Sequence, residues 1–297
     1  MTQTASPISG QLVSVARDIK LSHSVFALPW ALFATFLAAG GAPAWGQVGL
    51  IVLCMVSART VAMSANRLLD APLDALNPRT AGRAIPAGRV SRAIYLGVLL
   101  VCAGVFVLCT SGFGVWYHNW WPTWLSLPVL GFISAYPLLK RFSALCHYYL
   151  GAALALAPVC AWVAIAGTLD VAPLLIAGAV LLWTAGFDVI YACQDYTSDV
   201  QTGVFSIPAK VGISKALWIA RVTHVGSVGF MVTLGTVSPS LGWIYYTGVA
   251  CATVLLVIEH AIVRADDLSK VGLAFFTLNG IISLVVGGLG IVDVMRG

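Results

Sequence analysis

Uncharged apolar runs of about 20 residues, separated by short polar gaps, recur along almost the whole chain. A hydrocarbon core is crossed by about 20 apolar residues in helical conformation, so the pattern predicts nine membrane spans. They fall near 22–42, 47–69, 93–112, 120–139, 145–167, 171–193, 215–236, 241–262 and 272–292. The expected fold is an all-α polytopic bundle, with residues 1–297 forming one transmembrane domain behind a short N-terminal segment, 1–20.

Composition sharpens this. With 60% hydrophobic and 9% charged residues in 297, and a mean hydropathy of +0.94, the chain has no soluble profile. It requires a lipid bilayer as a partner, points to no nucleic acid, and leaves the oligomeric state open. All seven cysteines lie in or beside the spans without a C-x-x-C pair, and read as small apolar packers. Arg17 and Lys20 precede an apolar run ending in "AAGGAPAWG", which imitates a signal-peptide cleavage site. The run is too long for a typical h-region; Pro29, Pro43 and the return to apolar sequence at Val48 suit a retained first span.

Basic residues are one-sided. Arg17, Lys20, Arg79, Arg83, Arg89, Arg92, Lys140, Arg141, Lys210, Arg264 and Lys270 lie before span 1 or after spans 2, 4, 6 and 8, whereas the opposite loops hold none. The positive-inside rule then makes the N-terminus and the loops at about 70–92 and 194–214 cytoplasmic, in a bacterial-type inner membrane. The other interface carries "VWYHNWWPTW", an aromatic belt that includes His118. Arg89 and Arg92 read as topology determinants, and Lys20 and His23 as headgroup contacts or interfacial anchors. Glu259, His260, Arg264, Asp266 and Asp267 read as a solvated loop. His147 and His224 have no partner at metal-ligand spacing and read as structural.

Two acidic clusters emerge on the basic side. Asn66, Asp70 and Asp74 are spaced i, i+4, i+8, and Asp188, Asp195 and Asp199 are spaced i, i+7, i+11, so each set shares one face of a helix. Pro72 cannot donate to the carbonyl of Leu68, which predicts that Asp74 sits just past the helix end. Four converging carboxylates cannot all stay ionised without cations between them. Mg²⁺ fits, because it takes oxygen ligands and binds through one or two carboxylates plus substrate phosphates. The nearby bases Arg79, Arg83, Lys140, Arg141 and Lys210 would meet the remaining charge of a diphosphate.

"NRLLDAPLDALNPRTAGRAIPAG" resembles the first aspartate-rich motif of the UbiA-type intramembrane prenyltransferases, and "DVIYACQDYTSDVQTGVFSIPAKVG" their second, with "YPLLKRF" similar to the stretch between. The resemblance runs from about Lys20 to Asp293. It implies a nine-helix bundle around a central cavity, with Mg²⁺ and a polyprenyl diphosphate at the cytoplasmic mouth and the tail in an apolar groove. The implied reaction is metal-assisted loss of diphosphate, giving an allylic carbocation that the electron-rich ring of an aromatic acid attacks, in ubiquinone or menaquinone biosynthesis. Carried over by position, Asn66, Asp70, Asp74, Asp195 and Asp199 match metal and diphosphate ligands, Arg83 and Lys140 match diphosphate contacts, and Asp188 and Tyr191 lie toward carbocation and acceptor. Position 67 departs from the pattern, with Arg67 where many members carry Asp. The acceptor is a 4-hydroxybenzoate or a dihydroxynaphthoate; prenylation of haem or chlorophyllide is the alternative within the family. An ion-coupled transporter and a scaffold subunit are the alternatives outside it.

Arg59 lies seven residues before Asn66, on the same face and about 10 Å deeper at 1.5 Å per residue. An arginine inside a span marks a functional site with a partner: an acceptor carboxylate, the diphosphate, or a structural ion pair with Asp188.

Overall fold

A computed structural model describes residues 8–19 and 21–297, so Lys20 and the start of the N-terminal segment lie outside the described residues. The chain begins with α1 (Ile8–Asp18), a 3-10 turn at Leu21–Phe26 and α2 (Leu28–Ala39). The long helices follow: α3 (Trp45–Leu76), α4 (Arg92–Tyr117), α5 (Trp121–Leu139), α6 (Cys146–Ala166) and α7 (Val171–Ala192). Two short helices, α8 (Tyr196–Thr202) and α9 (Ile207–Val211), lead into α10 (Ile213–Val237) and α11 (Trp243–Ile262). The last span is built from α12 (Val271–Leu273), a π-helical turn at Ala274–Leu278 and α13 (Asn279–Arg296).

Among the described residues, eight helices are long and apolar enough to cross a membrane, and a ninth apolar helical stretch, Ser24–Ala39, is shorter. The expected nine spans correspond to eight helices of crossing length and one shorter apolar stretch. Pro29 starts α2 where its missing N–H costs nothing. Gly40, at φ +61°, closes it in the left-handed conformation that only glycine adopts freely.

Three expectations are corrected here. Pro72 does not end its helix, because α3 runs on to Leu76 and keeps Asp74 inside it, 5% exposed. The Leu68 carbonyl, orphaned by the proline, accepts from Arg92 Nη2 at 2.7 Å, and the Leu69 carbonyl accepts from Arg141 Nη2 at 2.6 Å. Two arginines therefore supply donors around the proline. The second acidic cluster is not one helix, since a 3-10 turn at Cys193–Asp195 separates α7 from α8. Glu259 is fully buried rather than solvated; it accepts from Asn279 Nδ2 at 3.0 Å, while Asn279 Oδ1 accepts from Trp183 Nε1 at 2.6 Å. His260, grouped with it in the sequence, meets His224 Nδ1 at 2.9 Å. Only the tip of that loop is open, with an exposed Arg264–Asp266 ion pair.

Trp30, Phe33, Trp183, Phe187 and Tyr245 fill the centre of the bundle, while Leu100, Leu108, Val225 and Val257 are exposed on its outside. That distribution suits helices whose outer faces meet lipid. Helices close up where side chains are absent. A Cβ at Gly287 would come to 2.8 Å from the Pro29 carbonyl oxygen, and one at Gly151 would strike the Leu181 carbonyl oxygen.

Candidate active site

The C-terminal ends of α3 and α7 open into one polar cavity of about 610 Å³, within the roughly 300–1,000 Å³ of small-molecule sites. Its wall includes Asn66, Asp70 and Asp74 from α3, Asp188 and Tyr191 from α7, and Asp195 and Asp199 at and beyond the 3-10 turn. Arg59, Arg79, Arg83 and Lys140 line it as well. The two acidic motifs, more than a hundred residues apart in sequence, form one site.

The acids are met by bases one at a time. Asp70 Oδ2 accepts from Lys140 Nζ at 2.7 Å, and both oxygens of Asp74 accept from Arg83 Nη1, at 2.7 and 2.8 Å. Asp195 takes a two-point contact from Arg79, Nε to Oδ1 at 2.8 Å and Nη2 to Oδ2 at 2.5 Å. Such forked pairs are directional as well as strong. Asn77 Nδ2 also donates to Asp195 Oδ1 at 2.8 Å, while its own side-chain oxygen accepts the Arg79 backbone N–H. The turn after α3 thereby aims Arg79 across the mouth. Burial would lower the Arg79 pKa, but the hydrogen bond and charge of Asp195, with Tyr191, hold it above its ordinary value. Arg79 Nη1 donates to the Tyr191 hydroxyl at 2.9 Å.

Two expected members are elsewhere. Arg141 is spent on the Leu69 carbonyl and Lys210 is exposed on α9; neither lines the cavity. Their charge suited the site, but charge does not fix direction: Arg141 turns to the Leu69 carbonyl while its neighbour Lys140 lines the cavity, and Lys210 is exposed on α9. Asn66 lines the wall with both ends of its amide engaged. Its Oδ1 accepts from Arg67 Nη1 at 2.6 Å and its Nδ2 donates to Asp70 Oδ2 at 2.5 Å, so the hydrogen-bond network turns an N–H toward the acids.

Asp188, one of the three partners open to Arg59, has a histidine against it. Asp188 Oδ2 meets His147 Nδ1 at 2.7 Å, and His147 Nε2 accepts the backbone N–H of Ile207 at 3.2 Å. Because Nε2 accepts, the ring proton sits on Nδ1 and is donated to Asp188. Asn77 and Thr80 line the cavity without having been expected there, and so does His147, which reads from sequence as structural. The signal for His147 was the rule that an acid inside a span needs a partner.

Below the polar cavity lies a second of about 190 Å³, lined mainly by apolar side chains of α3, α5 and α6. Arg59, Met63, Tyr136, Leu150 and Leu154 line both. From Tyr136 to Pro122 along α5 the apolar cavity extends about 21 Å at 1.5 Å per residue. Phe275, in the π-helical turn, closes the polar cavity against Tyr191 with ring centroids 4.2 Å apart; π-turns of this kind cluster at functional sites.

The donor set suits a hard cation. Its free groups are carboxylate oxygens, and Asp70 Oδ1 is buried with no hydrogen-bond partner. Among the described residues, no three His, Cys, Asp or Glu side chains are close enough to hold a metal ion by themselves, so the expected converging cluster of acids is corrected to a lined wall. Mg²⁺ needs only one or two carboxylates when phosphate oxygens and water complete its shell, and these residues fit that mode.

Residues 27–281 match the model of the UbiA prenyltransferase family. A 4-hydroxybenzoate octaprenyltransferase from Tolumonas auensis is 29% identical over 260 residues, covering 87% of this chain and 88% of the relative. A 4-hydroxybenzoate solanesyltransferase from Synechocystis is 28% identical over 261 residues, 87% and 86% of the two chains. Among solved structures, the apo UbiA homolog from Aeropyrum pernix superposes with a TM-score of 0.82 at 27% identity, covering 92% of this chain and 98% of that one. The UbiA homolog from Archaeoglobus fulgidus bound to DMAPP and Mg²⁺ gives 0.69 at 18% identity, covering 96% and 99%.

Proposed function

The chain belongs to the UbiA prenyltransferase family, and from that premise we propose that it transfers a polyprenyl group from a polyprenyl diphosphate to an aromatic acid of the 4-hydroxybenzoate type, with Mg²⁺ as cofactor. The observation that carries this reading is the meeting of two cavities at Arg59 and Tyr136. One is lined with acids and bases, as a metal diphosphate requires. The other is apolar and elongated, as a prenyl tail requires. The acceptor named for the relatives, 4-hydroxybenzoate, offers a phenol to activate the ring and a carboxylate for Arg59.

Asp70, Asp74, Asp195 and Asp199 would supply the carboxylates, one or two to each Mg²⁺, with diphosphate oxygens and water making up the rest. When bound, Mg²⁺ offsets the charge that develops on the departing diphosphate. Lys140, Arg83 and Arg79, each resting on one acid, exchange that partner for a diphosphate oxygen, so the charge of the site stays balanced as substrate enters. The packed rings of Tyr191 and Phe275 in the cavity wall would place aromatic quadrupoles near the allylic cation and apolar surface beside it in place of water. Arg59 orients the acceptor at the depth where the two cavities join.

The whole chain acts as one multi-pass domain, with the N-terminus and the motif loops on the cytoplasmic side, where the basic residues concentrate. Purified protein in bilayers, given a polyprenyl diphosphate and 4-hydroxybenzoate, should release diphosphate and form the prenylated acid only with Mg²⁺. Turnover confined to dihydroxynaphthoate would reassign the acceptor. No turnover with either acid, together with prenyl diphosphate binding indifferent to Mg²⁺, would overturn the reading.

A further inference from the structure

Arg67, at the position where the first acidic stretch departs from the motif it resembles, is almost fully buried and makes three directed bonds. Nε and Nη2 reach the carboxylate and carbonyl of Asp18 at 3.0 and 3.1 Å, and Nη1 reaches Asn66 Oδ1 at 2.6 Å. The Asp18 carboxylate also accepts from the hydroxyl of fully buried Tyr95 at 2.6 Å. Asn66 in turn donates to Asp70, the acid that carries Lys140. Polar contacts therefore run without a gap from Asp18, the last residue of α1, to the centre of the acidic wall. Val15 and Ile19 seat α1 against Ala84, Val90 and Tyr95, and both Asp18 and Arg67 line the polar cavity.

We infer that Arg67 is a positioning residue that couples the docking of α1 to the orientation of Asn66 and Asp70, making the N-terminal helix part of the diphosphate site. The inference rests on the reading of that cavity as a Mg²⁺ diphosphate site. With a fork on one side and a single donor on the other, a guanidinium holds Asp18 and Asn66 at once; a lysine ammonium has no such planar geometry. Freed from Arg67, the Asn66 amide can rotate, and Asp70 Oδ2 is left with Lys140 as its one remaining donor of the two.

The test uses full-length protein in detergent or nanodiscs, with inorganic pyrophosphate and Mg²⁺ as probes. Amide exchange over residues 8–18 and the Mg²⁺ concentration for half-maximal pyrophosphate binding are measured for wild type, Arg67→Met, Arg67→Lys and Asp18→Asn. In Arg67→Met the α1 amides should lose protection, and half-saturating Mg²⁺ should rise by about 10–100-fold, the usual cost of losing a ligand's supporting partner. Arg67→Lys should keep α1 docked yet shift Mg²⁺ in the same direction, and Asp18→Asn should shift both readouts less. KM for the aromatic acid should stay at the wild-type value. The apolar contacts of Val15 and Ile19 should keep these variants folded; a variant with a lowered Tm but unchanged Mg²⁺ half-saturation would reduce Arg67 to a structural staple and overturn the inference. Should wild type itself bind no pyrophosphate with Mg²⁺, the diphosphate reading falls, and unchanged α1 protection in Arg67→Met would still refute the coupling by itself.

Discussion

Arg79, in the turn after the first acidic motif, grips Asp195 of the second with both arms of its guanidinium. That contact joins the two motifs at the cavity mouth, and under the proposed function it is the one an incoming diphosphate opens. Replacing Arg79 with Ala should raise KM for the prenyl diphosphate by about tenfold or more, since charge-assisted hydrogen bonds contribute about 1.5–3 kcal/mol each, and leave KM for the acceptor near wild type. Initial rates over both substrates check this. A change confined to acceptor KM would move Arg79 out of the diphosphate site.

Asp70→Asn and Asp195→Asn keep the shape of the wall and remove its charge. Each should lower turnover by more than about a hundredfold, beyond what supporting residues usually cost, with the protein still extracted as a folded species. Excess EDTA should abolish wild-type turnover and added Mg²⁺ restore it. Activity that survives chelation would remove the metal from the proposal.

At Arg59 the two substrates separate. Arg59→Gln should weaken acceptor use by about 30-fold or more, the lower range for truncating one partner of a buried charge pair, while prenyl diphosphate still protects the protein against heating. Loss of that protection would assign Arg59 to the diphosphate.

Pro72 and Arg92 should behave as a coupled pair. Pro72→Ala returns an N–H to the Leu68 carbonyl that Arg92 now serves and removes a helix-interior proline, a gain of up to about 3 kcal/mol. Arg92→Ala should therefore cost less in the Pro72→Ala background than in wild type, with an interaction energy of about 0.5–3 kcal/mol. Thermal unfolding of the four proteins of the cycle measures it, and strict additivity would dissolve the link.

His147→Ala should destabilise by about 1–3 kcal/mol, because it leaves the Ile207 N–H without its acceptor and Asp188 without its donor. Amide exchange should report the loosening at the start of α9. Unchanged protection there would mean that the turn is held by other contacts.

The spans were legible because lipid demands apolar length, and length survives in any register. The acids of the site were legible because a carboxylate at a span end has few uses. Failures came where one local feature was answered from far away. Pro72 reads as a helix end until Arg92 and Arg141 supply donors around it. Asp188 took a histidine 41 residues upstream, a separation that carries no periodic signal. Arg141 and Lys210 share the charge of Arg79 and Arg83, and charge alone does not say which reach the cavity. Arg67 looked like a defect in a motif because its partner lies in α1, outside both acidic stretches.

The shared wall of the two cavities puts one substrate in two phases at once. Under the proposed function, the headgroup of the donor is presented from water, whereas its tail dissolves only in the bilayer. The quantity that governs saturation is then mole fraction within the lipid, not molarity in the buffer. Diluting a fixed amount of donor with inert phospholipid should lower the rate at constant bulk concentration, and crowding the same donor into fewer vesicles should raise it.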